Sequence, residues 1–408
     1  MDMLAPDRVS VDEIREAAEL IASVIRHTPM ESCRPLAALV GGPVRLKCEN
    51  LQRTGSFKIR GAYVRISRLS ATERAAGVVA ASAGNHAQGV ALAAQLLGVD
   101  ATVFMPVGAS IAKLTATRAY GATVELYGNA LDDSLERARE FSARTGAVLV
   151  HPFDHPDILR GQGTVGLEIL DQVPDVATVL VALGGGGLIS GVAAAIKQLR
   201  PEVRIVGVQA EQAAAWPGSL EAGHPVRLRS MSTMADGIAV GEPTKLTYGH
   251  VSALVDDVIT VTEGEISRAM LLCLERAKLV VEPAGAATVA AILSDPARFT
   301  PPVVAVLSGG NIDPIDLIHD IQHGLVAAGR FLTLRVDIPD RPGNLAGVLA
   351  LVGDLGANVV DVAHSRVGAS LRIGDVEVNL RLECRGTEHG VHIVEALTQA
   401  GFRVRHTD

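Results

Sequence analysis

A doubly wound α/β core on open parallel sheets, followed by a separate ferredoxin-like module, is the fold this chain predicts. Three observations carry that prediction. Short β-branched runs alternate with stretches long enough for crossover helices, glycine turns stand directly after several of those runs, and near Gly329 the alternation gives way to a βαββαβ order. The composition agrees. Hydrophobic residues make up 48% of the chain and aromatics only 3%, with Ala, Val, Leu and Gly dominant, which suits buried parallel strands under close-packed helices. At 408 residues the chain is long enough for two or three domains.

Each element has its own signal. Ser10 followed by Glu13 is a capping box, and the apolar periodicity of VDEIREAAELIASVIRH predicts an amphipathic helix behind it. Strands are predicted at VRLKC (44–48), GVVAAS (77–82), ATVFMP (101–106), ATVELYG (122–128), AVLVHPF (147–153), ATVLVALG (177–184), VRIVGVQ (203–209), DVITVT (257–262) and VVAVLSGG (303–310). The stretches 87–97, 130–145, 188–200 and 264–278 supply the crossover helices that a parallel sheet requires. In such sheets ligands bind beyond the carboxyl ends of the strands. Later, FLTLRVDIP, NLAGVLALVGDLG, ANVVDVAHSR, SLRIGDVEVNLRLEC, GVHIVEALTQAG and FRVRH read as strand, helix, strand, strand, helix, strand. That module spans roughly 80 residues, a common domain size.

Several function classes are disfavoured. A formal net charge of −8, with 12 histidines outside the count, lacks the basic face a nucleic-acid binder needs. No apolar run approaches the about 18 residues of a membrane span, and no leader pattern opens the chain, so a cytoplasmic protein is expected. Cys33, Cys48, Cys273 and Cys384 lack disulfide-framework or zinc spacing and read as small buried residues of a reducing compartment. His151 and His155 in HPFDHP have metal-like i, i+4 spacing, but two prolines break the helix that spacing needs. A structural loop is expected, and no metal site.

Four stretches carry chemistry. GGGGLISG (184–191) ends a strand and opens a helix, where free N–H groups and the helix dipole favour a phosphate; the alternative is tight strand-to-helix packing. Neither a dinucleotide fingerprint nor a Walker A loop can be threaded through it. SAGNHAQG (82–89) offers Ser82, Asn85 and N–H groups to a carboxylate, or simply caps a helix. SGGN (308–311) places Ser308 at a strand end. ENLQRTGSFKIRGA (49–62) sets Lys58 among small and polar neighbours. A lone lysine is ordinarily a solvated surface residue. With a phosphate seat elsewhere in the chain, however, an amine that condenses with an aldehyde points to pyridoxal 5'-phosphate, which carries one aldehyde and one phosphate. A serine–lysine pair fails because Gly55 stands where S-x-x-K needs serine.

Taken in order with EPAGA and LSGGN, these motifs resemble the fold type II pyridoxal-phosphate enzymes, and closely the threonine/serine dehydratases, over residues 1 to about 325. The resemblance implies a catalytic core over 1–328, with a smaller subdomain at about 50–155 inserted in a larger one. It makes Lys58 the residue that binds the cofactor covalently and removes the substrate α-proton. Phe57 would lie against the cofactor, Asn85 would bond its ring hydroxyl, and Ser308 would meet its pyridine nitrogen. The N–H groups of Gly184, Gly185, Gly186, Gly187 and Leu188 would hold its phosphate. Ser82, Ala83, Gly84, Asn85 and His86 would surround the substrate carboxylate, with Glu282 of EPAGA on the substrate or cofactor side. A neutral serine at the ring nitrogen favours prompt loss of a β-substituent, so α,β-elimination of the hydroxyl of threonine, and more weakly of serine, is expected. The products are a 2-oxo acid and ammonia.

The same resemblance includes serine racemase, which takes its second base from a serine where this chain has Ala83; elimination is therefore preferred. GVQAEQAAAW (207–216) matches the metal-binding pattern of racemase-like relatives poorly, and no divalent ion is expected. A β-replacement synthase or a non-catalytic amino-acid sensor on the same fold are the other readings. Residues 210–250, including MADGIAV, are candidates for substrate selection. DRPGNLAGVL (340–349) and GANVVDVAHSR (356–366) resemble an ACT domain over 329–408. Asp340, Gly343, Asn344 and Leu345 would receive an amino-acid effector, or the module serves only as a dimerisation platform. A homodimer or homotetramer is expected.

Overall fold

A computed structural model of the chain describes residues 8–366 and 371–406. They fall into two compact units, Met1–Ile318 and His319–Asp408, which divide within the helix Pro314–Ala327 and not at Gly329.

The first unit holds β1 (Met30–Ser32), β2 (Val44–Cys48), β3 (Val78–Ala81), β4 (Ala101–Met105), β5 (Thr123–Leu126), β6 (Val148–Leu149), β7 (Thr178–Ala182), β8 (Arg204–Ala210), β9 (Asp257–Val261) and β10 (Val303–Leu307). A six-stranded sheet runs β1-β2-β10-β7-β8-β9 and a four-stranded sheet runs β5-β4-β3-β6. Every pairing is parallel except β1 with β2. The chain leaves the larger sheet after β2, builds the smaller one, and returns at β7. Finally β10 inserts between β2 and β7. Strands β3, β7 and β10 are buried throughout, as helix-covered parallel strands must be, whereas edge strand β5 is largely exposed.

Local chemistry explains the boundaries. Ser10 and Glu13 form the capping box that opens the helix Val11–Ile21. The expected helix over 264–278 ends at Leu272 and passes into a π-turn, Cys273–Ala277, closed by Lys278 at φ 61°. The 147–153 run yields only Val148–Leu149, because the HPFDHP turn follows at once. The antiparallel β1 was not expected; MES carries no strand pattern of its own and is held by pairing with β2. All four cysteines are buried free thiols.

The helix Lys58–Ser67, which follows β2 through two short 3-10 turns, packs on the helix Pro156–Gln172 at unusually close range. A β-carbon on Gly161 would lie 2.5 Å from the Gly61 Cα and 2.6 Å from the Arg60 carbonyl oxygen. The contact is pinned where Gly61 N–H donates to Gln162 Oε1 at 3.1 Å.

The second unit contains β11 (Phe331–Pro339), the helix Asn344–Asp354, β12 (Asn358–Ser365), β13 (Asp375–Glu383), the helix Thr387–Gln399 and β14 (Arg403–His406). Its antiparallel sheet runs β12-β13-β11-β14. Period-two alternation puts Leu332, Leu334, Val336 and Ile338 of β11 into a core with Val348, Val352, Ile393 and Leu397. Of the predicted strand SLRIGDVEVNLRLEC, Ser370 lies outside the described residues. No described helix is long and apolar enough to cross a membrane.

Gly161→Ala is expected to destabilise the protein by about 1–3 kcal/mol, since the new methyl meets the backbone of Arg60 and Gly61. Gly347→Ala, at an exposed helical site with open space around it, should add about 0.5–1 kcal/mol. Denaturant unfolding of both variants checks the pair.

Candidate active site

Because β10 sits between β2 and β7, the chain segments that leave three neighbouring parallel strands meet at one sheet edge. Lys58 follows β2, Ser308 follows β10 and the glycine run follows β7, while residues 82–86 arrive from the carboxyl end of β3. They line one cavity of about 590 Å³, together with Phe57, Ala83, Leu188 and Glu282. A sheet switch point of this kind is where open α/β folds bind ligands.

Lys58 opens its helix, and its Nζ donates to the Pro152 carbonyl oxygen at 3.1 Å. The side chain is half-buried, its accessible surface opening onto the cavity. Burial pulls the amine from its ordinary range down to about 8, against the pull of nearby Glu282, which favours the charged form. The neutral amine is thus within reach at physiological pH. Glu282 is pushed up to about 7, chiefly by burial and then by Asp236. Burial also carries His86 down to about 3, so its ring is neutral, and His86 Nε2–H donates to the Val150 carbonyl oxygen at 2.7 Å.

Asn85 joins three of the motifs. Its Nδ2 donates to Glu282 Oε1 at 2.6 Å, while its Oδ1 accepts from Asn311 Nδ2 at 2.8 Å. Asn311 also donates to the Thr54 carbonyl oxygen. Two acceptors thus hold the Asn311 amide in place, and it in turn turns the Asn85 donor towards the acid. In the 82–86 loop, Ser82 Oγ accepts from Gly84 N–H at 3.1 Å, and the helix Asn85–Leu97 begins immediately after. Ser308 is buried, and its hydroxyl has no partner among the described residues.

The glycine run is packed too tightly for any other residue. A β-carbon at Gly185 would stand 2.4 Å from the Phe153 ring, one at Gly187 would stand 2.7 Å from Phe153 Cβ, and one at Gly184 would stand 2.8 Å from Ile238 Cα. Gly186, at φ 92°, caps the helix Gly187–Leu199. From behind, buried Trp216 donates its indole N–H to the Gly184 carbonyl oxygen at 2.6 Å. The first-turn N–H groups of that helix have no carbonyl within it to pair with.

A model of the family described as pyridoxal-phosphate dependent enzymes matches residues 21–309. The chain belongs to that family. It is 46% identical to an L-threonine ammonia-lyase of Thermotoga maritima over 397 residues, 97% of this chain and 99% of the relative. Among solved structures, a threonine deaminase from T.th. matches with a TM-score of 0.71 at 41% identity, over 74% of this chain and 99% of its own. A maize serine racemase matches with a TM-score of 0.73 at 38% identity, over 78% of this chain and 98% of its own.

As in its family, pyridoxal phosphate is the cofactor, and the cavity suits it. The lining brings together a lysine amine, the Ser308 hydroxyl, which has no hydrogen-bond partner among the described residues, and a glycine cradle whose every Cβ would collide with a neighbour. That donor set matches an aldehyde, a pyridine nitrogen and a phosphate.

Some contributors carried no strong signal in sequence. Asn311 is the last residue of SGGN, but its service to Asn85 needs a partner 226 positions away. Lys113 and Asp236 line the cavity as an ion pair at 2.8 Å; Asp236 belongs to MADGIAV, whose residues 236–240 all line the cavity. The HPFDHP loop serves the site through Pro152 and Phe153. Its histidines instead shape turns: His151 Nδ1 accepts from Asp154 N–H at 2.9 Å, and His155 Nδ1 accepts from Asp157 N–H at 3.1 Å. In the second unit, Asp340 pairs with Arg366 at 2.9 Å, Asn344 Nδ2 donates to the Pro339 carbonyl oxygen at 3.0 Å, Gly343 caps the following helix at φ 92°, and Leu345 packs on the core.

Glu282→Gln removes the negative charge that favours protonated Lys58, so the Lys58 amine should deprotonate below its present value of about 8. Acylation of the cofactor-free protein across pH, read by peptide mass spectrometry, should show the Lys58 midpoint moving down. An upward move would contradict the assigned electrostatics.

Proposed function

We propose that this chain is a threonine ammonia-lyase, which converts L-threonine to 2-oxobutanoate and ammonia by α,β-elimination and acts more weakly on L-serine. The observation that carries this reading is the likeness to an L-threonine ammonia-lyase over nearly the whole length of both chains. Bound in the cavity, pyridoxal phosphate supplies an aldehyde for the substrate amine and a conjugated ring that accepts the electrons freed at the α-carbon.

The residues divide the remaining work. Lys58 would hold the cofactor covalently at rest and, once free, would take the α-proton; its lowered proton affinity makes the neutral amine accessible near pH 8. Lys113, the other lining lysine, is tied to Asp236 and stays charged. The N–H groups of Gly184, Gly185, Gly186, Gly187 and Leu188 would hold the phosphate, Asn85 the ring hydroxyl and Ser308 the ring nitrogen, with Phe57 against the ring. Ser82, Ala83, Gly84, Asn85 and His86 orient the substrate carboxylate and Glu282 borders the substrate. Racemisation would need a second proton acceptor in the loop, where Ala83 offers none.

The second unit we assign as an ACT-type regulatory module, supported by its βαββαβ order and by DRPGNLAGVL. Asp340, Gly343, Asn344 and Leu345 would take an amino-acid effector, and the assembly would be a homodimer or homotetramer.

Purified protein should release 2-oxobutanoate from L-threonine and, more slowly, pyruvate from L-serine. Lys58→Ala should reduce both by at least about 1,000-fold. Appreciable D-serine formed from L-serine would replace the lyase reading with a racemase. Isoleucine or valine should shift the threonine saturation curve if the module binds either.

A further inference from the structure

Behind the cavity lies a buried charge network to which the chemistry above gives no role. Arg60 Nε and Nη2 donate to the two carboxylate oxygens of Glu49, each at 2.8 Å. Its Nη1 donates to Glu168 Oε1 at 2.6 Å and to Thr164 Oγ1 at 3.0 Å. Lys47 Nζ donates to Glu168 Oε2 at 2.5 Å, to Gln172 Oε1 at 2.8 Å and to the Thr28 carbonyl oxygen at 3.0 Å. Arg60, Lys47 and Glu49 are each 0% exposed. Two cations thus meet two anions with no solvent at the guanidinium.

Stability is a poor reason for such a network, since an apolar cluster of the same shape would often hold the fold as well or better. Its placement gives a better one. Arg60 stands in the first helical turn, two residues after Lys58. Glu168 lies on the helix Pro156–Gln172, whose entry turn carries Pro152, the carbonyl partner of the Lys58 amine. Glu49 and Lys47 fasten the same guanidinium system to the end of β2. Both sides of the Lys58–Pro152 contact therefore hang from one bidentate, fully desolvated arginine, and a lysine could not reproduce its planar fork.

We propose that Arg60, acting through Glu49 and Glu168, is a positioning residue that fixes where the Lys58 amine points in the cavity. This rests on the reading of Lys58 as the reactive amine. None of the network's residues lines the cavity; the network sets the relative placement of the two elements between which the amine is held.

The test uses the full-length protein and two variants. Arg60→Lys keeps the charge and loses the fork. The double variant Lys47→Met with Glu168→Gln removes one cation and one anion, so the buried site stays neutral while Arg60 loses a charged partner. Glu282, His86 and His151, the titratable groups that act electrostatically with Lys58, are unchanged in both. The pH dependence of Lys58 acylation is measured in the cofactor-free protein, and kcat and KM for L-threonine in the holoenzyme.

A displaced, better-hydrated amine should show its acylation midpoint raised by about one pH unit. In the same variants kcat should fall at least about tenfold with KM held within about threefold. Folded variants whose Lys58 midpoint and kcat match the parent would overturn the proposal. Loss of fold in both variants would assign the network to stability alone and overturn it equally. A parent that acts on no threonine would defeat the lyase reading, yet the acylation arm would still decide the role of Arg60.

Discussion

The backbones of Gly61 and Gly161 approach so closely that no side chain fits between them: a β-carbon on either glycine would meet the other helix at under 3 Å. That approach fixes the separation of the helices Lys58–Ser67 and Pro156–Gln172. The first carries Lys58, and the second begins just after the turn that supplies Pro152 and Phe153. Phe153 in turn is the surface on which Gly185 and Gly187 lie. The lysine end of the cavity and its glycine end are therefore gauged from one helix contact, and glycine appears at each point where backbone must touch a neighbour directly.

Burial then sorts the cavity's titratable groups by the form each must take. Desolvation disfavours charge whatever its sign, so it lowers the proton affinity of Lys58 and raises that of Glu282. Half-buried Lys58 and buried Glu282 have no salt-bridge partner among the described residues, so each is drawn towards its neutral form. The Arg60 network is the opposite case. There each charge is matched and hydrogen-bonded, and the arginine is held charged more firmly than in water, despite the cost of burying it, by Glu49 and Glu168. One helical turn thus joins a group made easy to titrate to a group that cannot be titrated.

Legibility in sequence followed the range of the interaction. The glycine run, the capping box and the strand–helix alternation are local requirements of the backbone, and each could be read from contiguous residues. Lys58 was singled out from contiguous residues too, and it lies on the cavity wall. The short antiparallel strand Met30–Ser32 was not readable, because its order comes from pairing with β2 and not from MES. The π-turn at Cys273–Ala277 was hidden inside an otherwise helical pattern. Asn311 and Lys113 reach the site only through tertiary contacts, and for Asp236 and Trp216 the 210–250 region was marked but not the atoms they touch. HPFDHP was legible as a loop, but its two histidines drew attention that belonged to Pro152 and Phe153.

The lining limits which donors the cavity can offer an anion. No arginine lines it among the described residues, and Lys113 is already matched by Asp236. The donors left for an anion are the N–H groups where the helix Gly187–Leu199 begins and those of the 82–86 loop, apart from the Gly84 N–H already bonded to Ser82. Backbone donors carry partial charge at fixed positions, so they can bind an anion without adding a mobile cation beside Lys58. A full positive charge there would compete for Glu282 and drag its proton affinity down. Neutral donors leave in place the burial that raises Glu282 and lowers Lys58. Glycine at 184–187 thus serves electrostatics as well as fit, since it lets the backbone itself take the place of charged side chains.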